Sequence, residues 1–402
     1  MSKFDDIRPY RDDEVKAVIQ SLLADREFLD FLGKYHSPRL SRYAAGLIRP
    51  LTRHVLRRAL GQSNSVRDFQ EVVSFYAKRI VAETMSEFVF QGVDSLEAGK
   101  AYLFVGNHRD IAGDSMLVDY ALWMSDRDTV RIAVGDNLIQ REFATNLMKL
   151  NKSFFIRRSE EGAKKVYAAL LQSSQYIHES IQEGSSVWIA QAEGRAKNGI
   201  DVTDPAIIKM FALADRKAPL GDLVERLAIV PVSISYEYDP CDYLKAKELT
   251  AIESSGAYQK PPGEDLLSLV KGLGEFKGRV YLRFGEPLVG DFESPEEIAN
   301  ELDHQLLNNY QLYLINYWAL QQLSKDTRDE DHRPQYNHAQ YNQPQYGETW
   351  GALQSTVQFG DTSAFEARLA ACPEAHRRKW LEMYANPVVN KHRSKSSSLA
   401  PI

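Results

Sequence analysis

Up to about residue 95, apolar residues recur at helical spacing. Val15, Val18, Ile19, Leu22 and Leu23 form one such set, and Phe28, Phe31 and Leu32 extend it. Phe69 to Phe90 predicts a further amphipathic helix. The pattern then changes. Short runs of apolar, aromatic and β-branched residues predict strands at Tyr102–Val105, Val130–Val134, Ser153–Ile156, Ser186–Ala190, Ile229–Tyr236 and Arg279–Phe284. Helical periods fit between them near 115–125, 138–149, 161–183, 205–215 and 265–274. Strand and helix in alternation predict an α/β fold with a mixed, mostly parallel sheet flanked by helices, behind an N-terminal helical region. Pro231 suggests an edge or a bulge in its strand.

A long closing helix is expected from Ser294 to Leu323, with Ser294 as N-cap, Pro295 as first helical residue and Glu297 as capping-box partner. Lys325 to Gly347 is polar and rich in Pro, Gln, Asn and Tyr, which reads as a linker. Phe365 to Tyr384 reads as one more amphipathic helix, and Lys391 onward as a basic, flexible tail. Three regions follow: a helical region over 1–95, an α/β domain over 96–324, and a linker, short helix and tail over 325–402.

Composition narrows the class. Of 402 residues, 44% are hydrophobic and 26% charged, as in a globular chain. A formal net charge of -6 argues against a general nucleic-acid binder. Cys241 and Cys372 are the only cysteines, so no disulfide framework or cysteine metal cluster is expected. The start carries acids where a signal peptide needs basic and then apolar residues, and no apolar run is long enough to span a bilayer. The expectation is a cytoplasmic protein that meets a membrane only at its surface.

One block runs against the overall charge. No acidic residue occurs from Phe31 to Arg67, while Lys34, Arg39, Arg42, Arg49, Arg53, Arg57, Arg58 and Arg67 lie among Leu40, Tyr43, Leu47, Ile48, Leu51, Val55 and Leu56. A basic amphipathic helix of this kind suits the inner, anionic face of a membrane, each basic side chain contributing roughly 1 kcal/mol near the surface. The alternative is the solvated face of a helical bundle. Pro50 is expected to kink or restart the helix.

The candidate chemistry begins where the Tyr102–Val105 strand runs into Asn107, His108, Arg109, Asp110 and, before the next helix, Asp114. Open α/β sheets place ligands where strands end in loops. A histidine beside a carboxylate can act as a general base, the carboxylate fixing the tautomer and stabilising the imidazolium. Asp110 and Asp114 both lie within a few residues of His108 and either could be that carboxylate. The next strands end in Arg157 and Arg158, and in Glu193, Gly194, Arg195 and Lys197. Arginine suits phosphate because its planar fork gives bidentate, charge-assisted hydrogen bonds. The set points to a hydroxyl deprotonated near a phosphate.

Taken in order, Asn107-His108 with its nearby Asp, Phe155-Ile156-Arg157-Arg158, Glu193-Gly194-Arg195 and Val230-Pro231-Val232 resemble the four blocks of the glycerolipid acyltransferase family, over about residues 95 to 290. That family contains glycerol-3-phosphate and 1-acylglycerol-3-phosphate acyltransferases. The resemblance implies that His108 and Asp114 are catalytic. It implies that Asn107, Arg157, Arg158, Glu193, Gly194, Arg195 and Lys197 bind the phosphorylated acceptor, and that Pro231 lies on the acyl-donor side. It also implies acyl-CoA or acyl carrier protein as donor, a glycerophosphate or lysophospholipid as acceptor, and neither metal nor other cofactor.

Two departures mark a divergent subgroup. His108 and Asp114 are separated by one more residue than the family usually places there, and Gly113 can absorb it. Ala192 stands where the family has Pro, and Arg195 follows Gly194 directly, so Arg195 and Lys197 compete for the phosphate. The alternatives are an acyltransferase for another lysolipid, or a membrane-surface lipid-binding module without the chemistry.

Overall fold

A computed structural model describes residues 3–36, 38–136, 141–325 and 346–397. For 35–36, 38–45 and 394–397 it describes the backbone alone. The expected linker between Lys325 and Tyr346 therefore lies outside the described residues, as do the side chains of Arg39, Leu40, Arg42 and Tyr43.

Four helices open the chain: α1 (Asp12–Ala24), α2 (Arg26–His36), α3 (Pro38–Leu60) and α4 (Val66–Thr84). Helix α3 runs on through Pro50. The sheet and its helices follow as β1 (Met85–Gln91), β2 (Leu103–Gly106), α5 (Gly113–Met124), β3 (Arg131–Gly135), α6 (Glu142–Leu150), β4 (Ser153–Ile156) and α7 (Ala163–Gln182). Then come β5 (Val187–Ala190), α8 (Pro205–Phe211), α9 (Leu220–Leu227), β6 (Ile229–Tyr236), α10 (Asp242–Ser255), α11 (Glu264–Gly274) and β7 (Gly278–Phe284). The chain closes with α12 (Pro295–Asn309), α13 (Leu314–Ser324), α14 (Tyr346–Leu353), α15 (Ser363–Ala371) and α16 (Glu374–Ser397).

The strands form one sheet in the order β1-β7-β6-β2-β5-β3-β4. Every neighbouring pair is parallel except β6 with β7. Strand alternation builds a core on each face. Leu103, Val105, Val187, Ile189 and Ile229 face one side, and Phe104, Trp188, Val230, Val232, Ile234 and Tyr236 the other. Each such side chain, once buried, contributes about 1.5–3 kcal/mol. The C-terminal helices build a separate core around Phe365, Trp380 and Tyr384, and the N-terminal helices another around Val15, Ile19 and Phe69.

Several expectations need correction. Met85–Gln91 is a strand, not the end of an amphipathic helix, because helix α4 stops at Thr84 and the chain pairs in parallel with β7. The run Met-Ser-Glu-Phe-Val-Phe-Gln alternates weakly and fits either period. The closing helix is two helices, broken at residues 310–313, where Tyr310 and Tyr313 turn into the core. Ser294 caps α12 through the N–H of Glu297, but the Glu297 carboxylate accepts from the N–H of Glu293 rather than from Ser294. Residues 365–384 divide at Pro373 into α15 and α16. Lys391 belongs to α16, where its ammonium donates to the carbonyls of Asn308 and Tyr310.

Pro231 lies neither on an edge strand nor at a bulge. Strand β6 is central and buried along its whole length, with β2 on one side and β7 on the other. The carbonyl of Pro231 accepts from Gly285 N–H, just beyond the end of β7. The position of its absent N–H faces the same way, toward Gly285, so Pro231 cannot return that bond and stands where the β6–β7 pairing ends, one residue past Val232 opposite Phe284.

Asp119 ties α5 to the sheet: its carboxylate accepts from Val130 N–H at 2.9 Å. Burial pushes its pKa up to about 7, against which the Val130 N–H and Lys152 pull it down. With the folded value above the unfolded one, the group's stabilising contribution is complete below about pH 4 and is lost as pH rises through about 7. Asp119→Asn keeps the acceptor and removes the charge. Thermal melts are expected to show the variant gaining on wild type at pH 8 and matching it at pH 4. An equal gain at both would contradict this account.

Candidate active site

Strands β6, β2 and β5 are adjacent and parallel, so their C-terminal ends open onto one edge of the sheet. Gly106 ends β2 level with Ala190 of β5 and Val232 of β6. Strand β6 continues to Tyr236 and so runs alongside the loop that follows β2. The next residue, Asn107, prolongs the β2–β6 ladder with its side chain. Its Oδ1 accepts from Ile234 N–H at 2.8 Å and its Nδ2 donates to Ile234 carbonyl at 3.0 Å and to Asp201 at 3.3 Å. Asn107 is buried, with both polar atoms committed to the scaffold.

His108 follows. Its Nδ1 lies 2.8 Å from Asp114 Oδ2, and its ring meets Trp188 edge to face. Nε2 has no protein partner among the described residues, and the side chain is 17% exposed. Asp114 is 1% exposed and its carboxylate is fully engaged. Oδ2 also accepts from the N–H groups of Arg109 at 2.7 Å and Asp110 at 3.0 Å, and Oδ1 accepts from Tyr236 hydroxyl at 2.9 Å. Burial, with Asp114 beside it, drives the Tyr236 pKa well above its ordinary value. The phenol therefore stays protonated and donates at all working pH values.

Asp110 is turned away from His108. Its Oδ1 accepts from the N–H groups of Ala112 and Gly113 and so caps the start of α5. Burial, and then the charge of Asp114, raise its pKa. Gly113 lies in a crowded place: a Cβ there would stand 2.9 Å from Asp110 Oδ1 and 3.0 Å from Tyr236 hydroxyl, so a larger residue would have to displace one of them.

Behind the pair lies a buried ionic network that sequence reasoning missed. Arg109 pairs with Asp201 and stacks over the Tyr310 ring. Burial opposes the Arg109 charge, but Asp201 and its neighbours outweigh it and the pKa rises. Lys245 donates to Arg109 carbonyl at 2.7 Å and pairs with Asp239. Burial raises the Asp239 carboxyl, but Lys245 more than offsets this and holds it below the usual range. Each of these charges reads singly as a surface residue. Tyr236, at the buried end of a central strand, carried the one available signal.

The basic residues are dispersed. Arg157 pairs with Asp6 at 3.0 Å, and Arg158 lies 3.6 Å from Glu193. Glu193 and Gly194 are exposed. Lys197 pairs with the buried Glu248 at 2.5 Å, and burial lowers its pKa. Arg195 differs: Nη2 is 3.5 Å from Ser268 Oγ, and Nη1, though buried, has no partner among the described residues. The loop joins the pair directly, since Ala196 N–H donates to His108 carbonyl at 2.8 Å. No contact among the described residues joins Arg157 to His108.

Comparison with known proteins adds the family. Residues 87–235 match the Acyltransferase family model. The glycerol-3-phosphate acyltransferase of Pseudomonas putida is 27% identical over 250 residues, covering 60% of this chain and 28% of that protein. That of Baumannia cicadellinicola is 29% identical over 196 residues, covering 48% of this chain and 22% of its own length. The chain thus spans between about a fifth and little more than a quarter of the length of these relatives. A solved 1-acyl-sn-glycerophosphate acyltransferase from Thermotoga maritima aligns over 70% of this chain and 95% of its own, at 13% identity and a TM-score of 0.37. Over residues 87–235 the chain thus matches the Acyltransferase family model, and the relatives it is similar to are glycerolipid acyltransferases.

Proposed function

We propose that the chain transfers a fatty acyl group from a thioester, acyl-CoA or acyl carrier protein, to a hydroxyl of glycerol-3-phosphate or 1-acylglycerol-3-phosphate. The observation that carries this reading is the His108–Asp114 pair, at 2.8 Å, with Nε2 open at the sheet edge inside the family-matched segment. His108 Nε2 takes the acceptor hydroxyl proton. The alkoxide oxygen attacks the thioester carbonyl, the carbon–sulfur bond breaks, and the proton on His108 Nε2 passes to the leaving sulfur, which departs as free thiol and restores the neutral imidazole. Asp114 stabilises the imidazolium formed between these steps.

No acyl-enzyme is needed. Cys241 and Cys372 are buried, and burial pushes their thiols up to about 12 and about 11, which leaves them poor nucleophiles. Arg195 is the residue we assign to the acceptor phosphate, because its guanidinium has an unpartnered nitrogen. Lys197, held by Glu248, is the weaker candidate. Arg157 and Arg158 would contribute by exchanging Asp6 and Glu193 for phosphate.

We also infer peripheral contact with an anionic bilayer through α3. No helix among the described residues is long and apolar enough to cross a membrane. Leu47, Leu51 and Val55 stand exposed at a spacing of four, with Arg57 and Arg58 beside them and Phe75 exposed on α4. Ile48 and Leu60 of the same helix are buried. The helix therefore has one face for the bundle and an apolar face left over.

Thioester consumption by purified protein tests the chemistry. With glycerol-3-phosphate, 1-acylglycerol-3-phosphate and lysophosphatidylcholine offered in parallel, one of the first two is expected to turn over. His108→Ala should then lose about a thousandfold or more. Turnover surviving in His108→Ala would refute the mechanism. Tyr236→Phe removes one donor to Asp114 and is expected to lower kcat about tenfold with KM within about twofold, the scale of one charge-assisted hydrogen bond. In liposome flotation, Leu51→Glu is expected to abolish binding to anionic vesicles. Equal failure of wild type on anionic and neutral vesicles would remove the membrane reading.

A further inference from the structure

The loop that carries Arg195 and Lys197 is held from outside the sheet. Helix α16 crosses it, and two contacts define the junction, one of them braced by α14. Asn386 Nδ2 donates to Asn198 carbonyl at 2.8 Å. Asn386 Oδ1 accepts from Tyr346 hydroxyl at 2.9 Å, so the amide orientation is fixed from both ends. The Met383 carbonyl faces Gly199, where a Cβ would stand 2.1 Å from that oxygen.

The chain is built for this approach on both sides. Pro387 lies inside α16 and has no N–H to offer the carbonyl four residues back, which is that of Met383. A helix carbonyl is thereby freed to face the loop. Gly199 has φ +78° and no side chain, so it can receive the helix backbone at contact distance. From Gly199 the path to the site is short. Gly199 carbonyl accepts from Arg109 at 3.4 Å, and Ala196 N–H donates to His108 carbonyl. Met383 and Tyr384 also line a small cavity, of about 10 Å³, with Arg109, Tyr236 and Asp239.

The helix is itself anchored. Tyr384 hydroxyl donates to Asp242 at 2.9 Å and accepts from Asp239 N–H at 3.0 Å. Arg368 of α15 pairs with Asp242 at 2.5 Å. Asn316 of α13 donates to Tyr384 carbonyl at 2.9 Å. Phe365, fully buried, packs on Trp380 and Tyr384 with ring centroids 4.7 and 4.9 Å away. Helix α10, against which α16 packs, supplies Glu248, the partner of Lys197.

We propose that the C-terminal helical unit is a clamp on the acceptor-binding loop, and that Asn386 is its positioning residue. The clamp orders residues 196–201, so that Arg195 meets the acceptor phosphate without a further cost in loop entropy. Its effect therefore falls on acceptor affinity and not on the thioester or the proton transfer. The assignment to the acceptor rests on the function proposed above; the clamp itself does not.

The test uses the full chain. Asn386→Asp keeps the acceptor for Tyr346 and removes the donor to Asn198. Pro387→Ala restores an N–H inside a helix, which does not threaten folding, and draws the Met383 carbonyl back. Amide hydrogen exchange should quicken about fivefold or more at Ala196, Gly199 and Ile200 in both variants, with β2 and β5 unchanged. KM for whichever of glycerol-3-phosphate and 1-acylglycerol-3-phosphate turns over should rise about fivefold with kcat and donor KM within about twofold. Unchanged exchange in both variants would overturn the clamp. Faster exchange with unchanged acceptor KM would overturn its role in acceptor binding. Faster exchange in a chain that turns over none of the three acceptors would uphold the clamp and refute the proposed function instead.

Discussion

A buried carboxylate that has lost its water must find its hydrogen bonds within the protein. Asp114 does so completely, and that requirement organises the region around it. Two of its donors are backbone N–H groups of the loop after β2, one is His108, and one is the hydroxyl of Tyr236 on β6. The loop must therefore curl back on itself, α5 must begin at Gly113, and β6 must run four residues beyond the end of β2 in their shared register. His108 inherits its orientation from these constraints. The rest of the ring is free to meet a substrate.

The positive charges behind the pair answer the same need at longer range. Arg109 and Lys245 lie buried among Asp201, Asp239 and Asp114, and each is matched to a carboxylate. Removing one member of such a network would strand the other in a low-dielectric interior, which costs far more than the pair contributes when intact. These residues fix where the loops sit. By contrast, Arg195, with a free guanidinium nitrogen, is the one basic residue of its loop not committed to a carboxylate.

Much of this was legible in the sequence. Buried parallel strands are short apolar runs, so β2 to β6 stand out, and the His–Asp spacing locates the loop. β1 was not legible, because Glu87 and Gln91 on a half-exposed edge strand leave no clean alternation. The break between α12 and α13 was hidden because Tyr310 and Tyr313 suit a buried helix as well as a buried turn. Helices α9 and α10 carry no start signal of the common kind, and neither N-cap makes a side-chain bond. Tyr236, Asp201 and Asp239 join the site only through contacts across many residues of sequence, which no local pattern encodes. The C-terminal helices read as an appendage, and their contact with the loop at Gly199 depends on tertiary packing alone.

The central claim is that His108 activates the acceptor itself, with no acyl group carried on the protein. Intact-mass measurement after mixing the protein with an acyl thioester, first without and then with whichever of glycerol-3-phosphate and 1-acylglycerol-3-phosphate it turns over, addresses it most directly. The account predicts an unmodified protein mass in both samples and free thiol released only when acceptor is present. A stoichiometric acyl adduct formed without acceptor, and discharged when acceptor is added, would contradict it.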